Sequence, residues 1–187
     1  MYSNSAFRNW DLHPRYELKR ILGSGSYGEV AEAVDRDRGG KRVAVKKINR
    51  IFEQETDAKR ILREIYILRH MAHRNVIQLL NVLLPTRADK NTFNELYLVF
   101  EFVDTDLYKL IMSPQYLTAQ HIRTFLYQLL HSLAYTHSLN VIHRDVKPAN
   151  ILLNEDCSLK LCDFGLARVL ADRGGRVSWS FVRSVDV

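Results

Sequence analysis

The chain has 187 residues, with 27 Lys and Arg against 21 Asp and Glu, a net charge of +6, and 47% apolar or aromatic residues. This composition excludes an unfolded polar chain, and at roughly 100 to 200 residues per domain the expectation from length is one domain or two small lobes sharing a core, against a large multidomain enzyme. Two cysteines exclude a disulfide framework, and with no signal-peptide core in residues 1–10 and no window near the ~20 apolar residues of a membrane span, the expectation is a soluble intracellular protein.

Basic residues are interleaved with acidic ones and leave no long run as a nucleic-acid footprint. Residues 16–22 read as a strand entering a glycine cluster, Gly23-Ser24-Gly25-Ser26-Tyr27-Gly28, and residues 29–34 as the strand that leaves it. Gly39-Gly40 marks a tight hairpin turn. Residues 43–48 then alternate, placing Val43 and Val45 on one face and Ala44, Lys46 and Ile48 on the other. From Thr56 or Asp57, either a good N-cap, the period becomes helical. Ile61, Glu64, Leu68 and Met71 share one face, which puts a carboxylate in an apolar stripe. Residues 76–84 and 95–102 read as two more strands joined by a polar loop. A short helix over 106–112 precedes a long one over 118–137, with Ile122, Phe125, Leu129 and Leu133 as its stripe. A loop over 141–150 leads to a hairpin of residues 151–153 and 159–162.

Three glycines at this spacing mark either an ordinary turn or a phosphate-binding one. A dinucleotide fingerprint needs a helix directly after the glycines. Here a strand follows, the arrangement in which backbone N–H groups cover phosphates from above. A lone Lys46 would read as a solvated strand residue, which leaves Glu64 unexplained; pairing of the two accounts for both. The last two motifs are His143-Arg144-Asp145-Val146-Lys147-Pro148-Ala149-Asn150 and Asp163-Phe164-Gly165, which supply hard oxygen ligands.

With these four motifs in this order, the chain resembles the eukaryotic protein kinases. The resemblance implies an α+β, bilobal kinase-like fold: a five-stranded antiparallel N-lobe sheet plus helix C, and an incomplete, mainly helical C-lobe. Residues 1–15 would be an N-terminal extension, 16–103 the N-lobe and hinge, 104–168 a partial C-lobe, and 169–187 a disordered tail unrelated to the family. It also implies ATP and Mg²⁺. Asp145 would accept the proton of a protein Ser or Thr hydroxyl, and Lys46, held by Glu64, would bind the α- and β-phosphates. Lys147, whose place two residues after Asp145 is typical of Ser/Thr kinases, would neutralise the γ-phosphate, while Asn150 and Asp163 would hold the metal. Gly23, Gly25 and Gly28 would cover the phosphates. The Glu101 carbonyl and Val103 N–H would read the adenine edge beside the gatekeeper Phe100, with Leu22, Val30, Ala44 and Leu153 sandwiching the ring. Leu68, His143 and Phe164 would form a packed spine.

Leu62-Arg63-Glu64-Ile65, Asp104-Thr105-Asp106-Leu107, Tyr127-Gln128-Leu129-Leu130 and Val141-Ile142-His143-Arg144-Asp145 are similar to the mitogen-activated protein kinases of the CMGC group. This implies signalling in the cytoplasm and/or nucleus on protein substrates, under an upstream kinase, without nucleic-acid or membrane partners. No Thr follows Thr136 and no Tyr follows Tyr135, so the family's Thr-x-Tyr phosphorylation pair has no counterpart here. The resemblance stops at Arg168. The expectation is a kinase truncated after Asp163-Phe164-Gly165, with weak or absent transfer by this chain; the alternative is an impaired kinase acting only as a nucleotide- or protein-binding module.

Overall fold

The alternating segments of the first half build an antiparallel sheet. In this computed structural model, which describes residues 5–25, 28–87 and 93–170, its strands are β1 (Tyr16–Gly25), β2 (Gly28–Asp35), β3 (Lys41–Asn49), β4 (Leu79–Leu83) and β5 (Glu95–Glu101). They lie in the order β1-β2-β3-β5-β4, each pair antiparallel, as the five-stranded expectation required. Chain contacts divide the protein into two units, residues 1–59 with 79–102 and residues 60–78 with 103–187; the sheet forms the first.

Directly opposed residues share a face of an antiparallel sheet. On one face Tyr16, Ala33, Val43, Val45, Tyr97 and Val99 make a buried core, and Trp10, Leu12, Leu18, Leu80 and Leu83 pack against it. The described part of the N-terminal extension is therefore part of this unit's packing. Trp10 lies against Tyr97 and donates from its indole N–H to Glu29 at 3.2 Å, and the Asp11 N–H donates to the Tyr97 hydroxyl at 2.8 Å. Lys47 shares the core face and is only 3% exposed; its ammonium bonds the Asn9 carbonyl and lies 3.3 Å from Glu95. The buried carboxylate of Asp35 takes two bonds from Arg15, at 2.7 and 2.8 Å.

Several boundaries differ from the sequence reading. β1 continues past Leu22, so that Gly25 pairs with Gly28 across the glycine turn. Gly39-Gly40 is not a two-residue hairpin: a 3₁₀ turn, Arg36–Arg38, intervenes, N-capped by the Asp35 side chain, and the two glycines follow it at φ 64° and 74°. The helix α1 (Glu55–Arg69) begins before Thr56 and Asp57, which lie in its first turn instead of capping it. Its buried face does hold Ile61, Glu64 and Leu68, and Met71 is buried just past its end. Val76 is outside β4 and bridges Leu161 in the second unit.

The second unit adds β6 (Thr105–Asp106), α2 (Leu107–Met112), α3 (Ala119–Ser138), β7 (Val141–Ile142), β8 (Ile151–Leu153), β9 (Leu159–Leu161) and β10 (Arg168–Val169). Asp106 caps α2, and Thr118 with His121 forms a capping box on α3. β6, β8 and β9 make a three-stranded sheet, and β7 pairs with β10. The inner stripe of α3 is Phe125, Gln128, Ser132 and Thr136, whereas Ile122 is 56% exposed. The polar residues can face inward because each is satisfied: Ser132 donates to the Leu129 carbonyl at 2.7 Å, Thr136 to that of Leu133 at 3.0 Å, and Gln128 to that of Cys157 at 2.8 Å. Val169 belongs to β10 and the Leu170 N–H bonds the Asn140 carbonyl at 2.8 Å, so the tail expected from residue 169 begins with fixed structure. Residues 171–187 lie outside the described residues.

Candidate active site

The first unit carries the glycine turn and the lysine. Gly23, Val30, Lys46 and Leu98 are successive partners across β1, β2, β3 and β5. Val30 and Lys46 therefore emerge on one face, together with Ala44 and its partner Phe100, opposite the face that holds the core. Leu22 is half-buried on β1, and Glu101 ends β5 opposite Val43. Ser26 and Tyr27, at the tip of the turn, lie outside the described residues.

The three glycines are not equivalent. Gly28 has φ 137°, and a Cβ there would lie 1.9 Å from the Lys47 carbonyl oxygen, so the strand pairing itself demands glycine. At Gly23 and Gly25 a Cβ would meet nothing within 4 Å. The fold does not need glycine at those two positions, and their bare backbone makes an open cradle fit for close approach by a phosphate.

The second unit carries Asp145, the candidate acid–base group. His143 is 1% exposed; its Nε2 lies 2.9 Å from the Cys162 carbonyl and its Nδ1 accepts the Asp145 N–H at 3.2 Å. Those partners fix a neutral ring protonated at Nε2, and burial pushes its pKa below the ordinary histidine value. Phe164 packs edge-on against the ring with centroids 4.7 Å apart, and both Phe164 and Leu68 are buried. The Asp145 Oδ2 accepts from Lys147 at 2.8 Å and from the Asn150 amide at 2.9 Å, and the same amide donates to the Asp145 carbonyl. Lys147 is the main cause holding the Asp145 carboxyl below the usual range, and the pair raises the Lys147 ammonium in turn.

Because the Asn150 NH₂ is engaged twice by Asp145, its amide oxygen is left as a hard ligand. The Asn150 carbonyl accepts the Cys162 N–H at 3.0 Å, which ties it to the residue before Asp163. Asp163 stands at φ 64°, a left-handed conformation uncommon outside glycine, with Oδ1 accepting the Gly165 N–H at 3.4 Å. Among the described residues no three His, Cys, Asp or Glu side chains form a metal cluster. One amide oxygen and one carboxylate, completed by oxygens from outside the protein, suit Mg²⁺, which keeps few protein ligands.

Two arginines escaped the sequence reading. Arg63 on α1 donates to the Gly165 carbonyl at 2.8 Å, and Arg144 donates to that of Leu166 at 2.7 Å, with Arg144 itself at φ 67°. Each lies inside a quoted motif, Arg144 in the run from His143 to Asn150 and Arg63 in Leu62-Arg63-Glu64-Ile65, which is the signal the sequence offers. Of the remaining candidates, Glu64 is 5% exposed on α1, Leu153 is 2% exposed on β8, and Val103 is half-buried. Lys46 belongs to the first unit and Glu64 to the second.

Among the described residues no helix is long and apolar enough to cross a membrane. Residues 16–185 match the protein kinase domain family, seventeen residues beyond Arg168. Mitogen-activated protein kinase 8 of Arabidopsis thaliana is 51% identical over 155 residues, 83% of this chain and 26% of that protein. Mitogen-activated protein kinase 9 of the same plant and mitogen-activated protein kinase 12 of Oryza sativa subsp. japonica are each 47% identical over 175 residues, 93% of this chain and 34% and 30% of theirs. The chain thus spans between about a quarter and a third of the length of these curated relatives. Family match, relatives and fold agree: the chain belongs to the protein kinase family and is of the mitogen-activated type.

Proposed function

We propose that the chain carries the nucleotide-binding and catalytic residues of a Ser/Thr kinase that transfers the γ-phosphoryl group of ATP to protein hydroxyls. The observation that carries this reading is the Asp145 carboxylate, aligned by His143, Lys147 and Asn150. Both side-chain partners fix Oδ2, so an acceptor hydroxyl would donate to Oδ1. A carboxyl held at low pKa is a weak base, which suits a loose phosphoryl-transfer transition state where the proton leaves late and alignment matters more than basicity. Lys147 stays cationic and would meet charge on the transferred group. The cradle at Gly23 and Gly25 takes the phosphates, Lys46 assists them, and the Glu101 carbonyl with the Val103 N–H reads the adenine edge. Asn150 and Asp163 would hold Mg²⁺, which when bound neutralises phosphate charge. Partners on this reading are Ser/Thr-containing proteins and an upstream kinase.

Incubation with γ-labelled MgATP and a mixed Ser/Thr peptide pool tests the reading. The expected result is labelled phosphoserine or phosphothreonine, lost in Asp145→Asn. Nucleotide binding without label transfer would replace catalysis by a binding role, and no binding of either kind would overturn the reading.

A further inference from the structure

Glu32 and Arg42, outside every motif, form a clamp at the end of the first unit. Glu32 is 8% exposed and shares its carboxylate between two guanidinium groups: Arg42 Nε donates to Oε1 at 2.7 Å and Arg20 Nε to Oε2 at 2.8 Å. The Arg42 guanidinium carbon also lies 3.7 Å from the centroid of the Phe102 ring, well inside the ~6 Å reach of a cation–π contact. Phe102 is the residue between Glu101 and Val103, and the last of its unit.

We propose that Arg42 is a positioning residue for adenine recognition: gripped by Glu32 and stacked on Phe102, it fixes the peptide groups on both sides of that ring. The inference rests on the kinase reading above. Three features support it. Val43 pairs with Glu101, so Arg42 stands at the next register place, beside Phe102. One edge of the guanidinium is taken by Glu32, which leaves its flat face for the ring; lysine cannot serve both partners in this way. Arg42 is also four residues from Lys46 along β3, about 13 Å at the rise of a strand, so its effect belongs to the adenine end and not to the phosphates.

Calorimetric binding of Mg²⁺ with the non-hydrolysable analogue AMP-PNP, of adenosine by competition, and of inorganic tripolyphosphate tests this on the full chain. Arg42→Ala is expected to weaken AMP-PNP and adenosine about three- to tenfold while leaving tripolyphosphate within about twofold. Phe102→Leu removes the ring and keeps the ion pair, so it carries the test if Arg42→Ala does not fold. The double variant is expected to bind no worse than the weaker single one. Wild-type affinity in both single variants, equal losses for tripolyphosphate, or additive losses in the double variant would each overturn the positioning role and leave the kinase reading intact. A wild-type chain that binds none of the three probes would overturn both.

Discussion

Asn75 and Gln128 join three segments of the second unit, and replacing Asn75 by alanine should expose how much that unit depends on them. Asn75 is 2% exposed, and its amide donates at 2.9 Å to both the Gln128 side-chain oxygen and the Leu159 carbonyl. Gln128 in turn accepts the Leu159 N–H at 2.9 Å and donates to the Cys157 carbonyl. Asn75→Ala removes two buried bonds. The Gln128 oxygen keeps the Leu159 N–H, but the carbonyl of the buried Leu159 loses a partner. Two bonds at about 1 kcal/mol each and a weakened acceptor at up to about 2 give a loss of about 2–4 kcal/mol. Urea denaturation should show a lower midpoint at unchanged slope, and the melting temperature should fall by about 5–12 °C. Gln128→Leu should cost more, about 3–5 kcal/mol, because it strips the Leu159 N–H and the Cys157 carbonyl as well. Since both variants dismantle one network, the double variant should fall short of the sum by at least about 1 kcal/mol. An Asn75→Ala protein within about 0.5 kcal/mol of wild type, or strict additivity, would refute the reasoning. β9 runs directly into Cys162 and Asp163, so the same variants should also slow any phosphotransfer.

Gly28→Ala should lower the melting temperature sharply, since its φ of 137° and the 1.9 Å approach to Lys47 leave no room. Gly25→Ala should melt like wild type yet bind AMP-PNP about tenfold more weakly, and equal melting of the two variants would contradict the distinction. Asp145 has its carboxyl pKa lowered chiefly by Lys147. On the proposed kinase reading its working form is the deprotonated one, lost as pH falls through the lowered pKa, so Lys147→Ala should move the acid limb of kcat/KM to higher pH on top of lowering the rate; an unmoved limb would exclude the pairing. Asp35 is likewise held low, first by Arg15. Its contribution to stability is present above the unfolded carboxyl pKa and lost as pH falls through the folded one. Arg15→Met should therefore flatten the acid end of the stability–pH curve, measured by urea titrations between pH 2 and 6, roughly the range over which carboxylates titrate.

Sequence reading located what repeats or alternates, and missed what depends on partners distant in the chain. The sheet, the Glu64 face of α1 and the hairpin of β8 and β9 follow from period and punctuation alone. Alternation puts Lys47 on the face of Val43 and Val45 but cannot show that a charge is buried there, because that burial depends on the Asn9 carbonyl 38 positions earlier and on Glu95. The stripe on α3 was misplaced for the same reason. Ser132 and Thr136 return their hydroxyls to their own helix, and Gln128 finds its partners on other segments, so polarity ceased to mark the outside. At the site, the motifs named Asp145, Lys147 and Asn150, but spacing could not reveal that the Asn150 amide is spent on Asp145 and so presents its oxygen. Nor could it distinguish the glycine the fold requires from the two it does not.

The 3₁₀ turn at Phe164–Leu166 is shaped from outside itself. Its Gly165 and Leu166 carbonyls are taken by Arg63, about a hundred residues earlier, and by Arg144, while Asp163 contributes only one long internal bond. The segment is therefore not modular. Grafted alone into another scaffold, residues 163–167 would bring the left-handed backbone at Asp163 without the donors that make it tolerable, and would relax to a different path. Inheritance of this turn by recombination requires three stretches of chain to travel together.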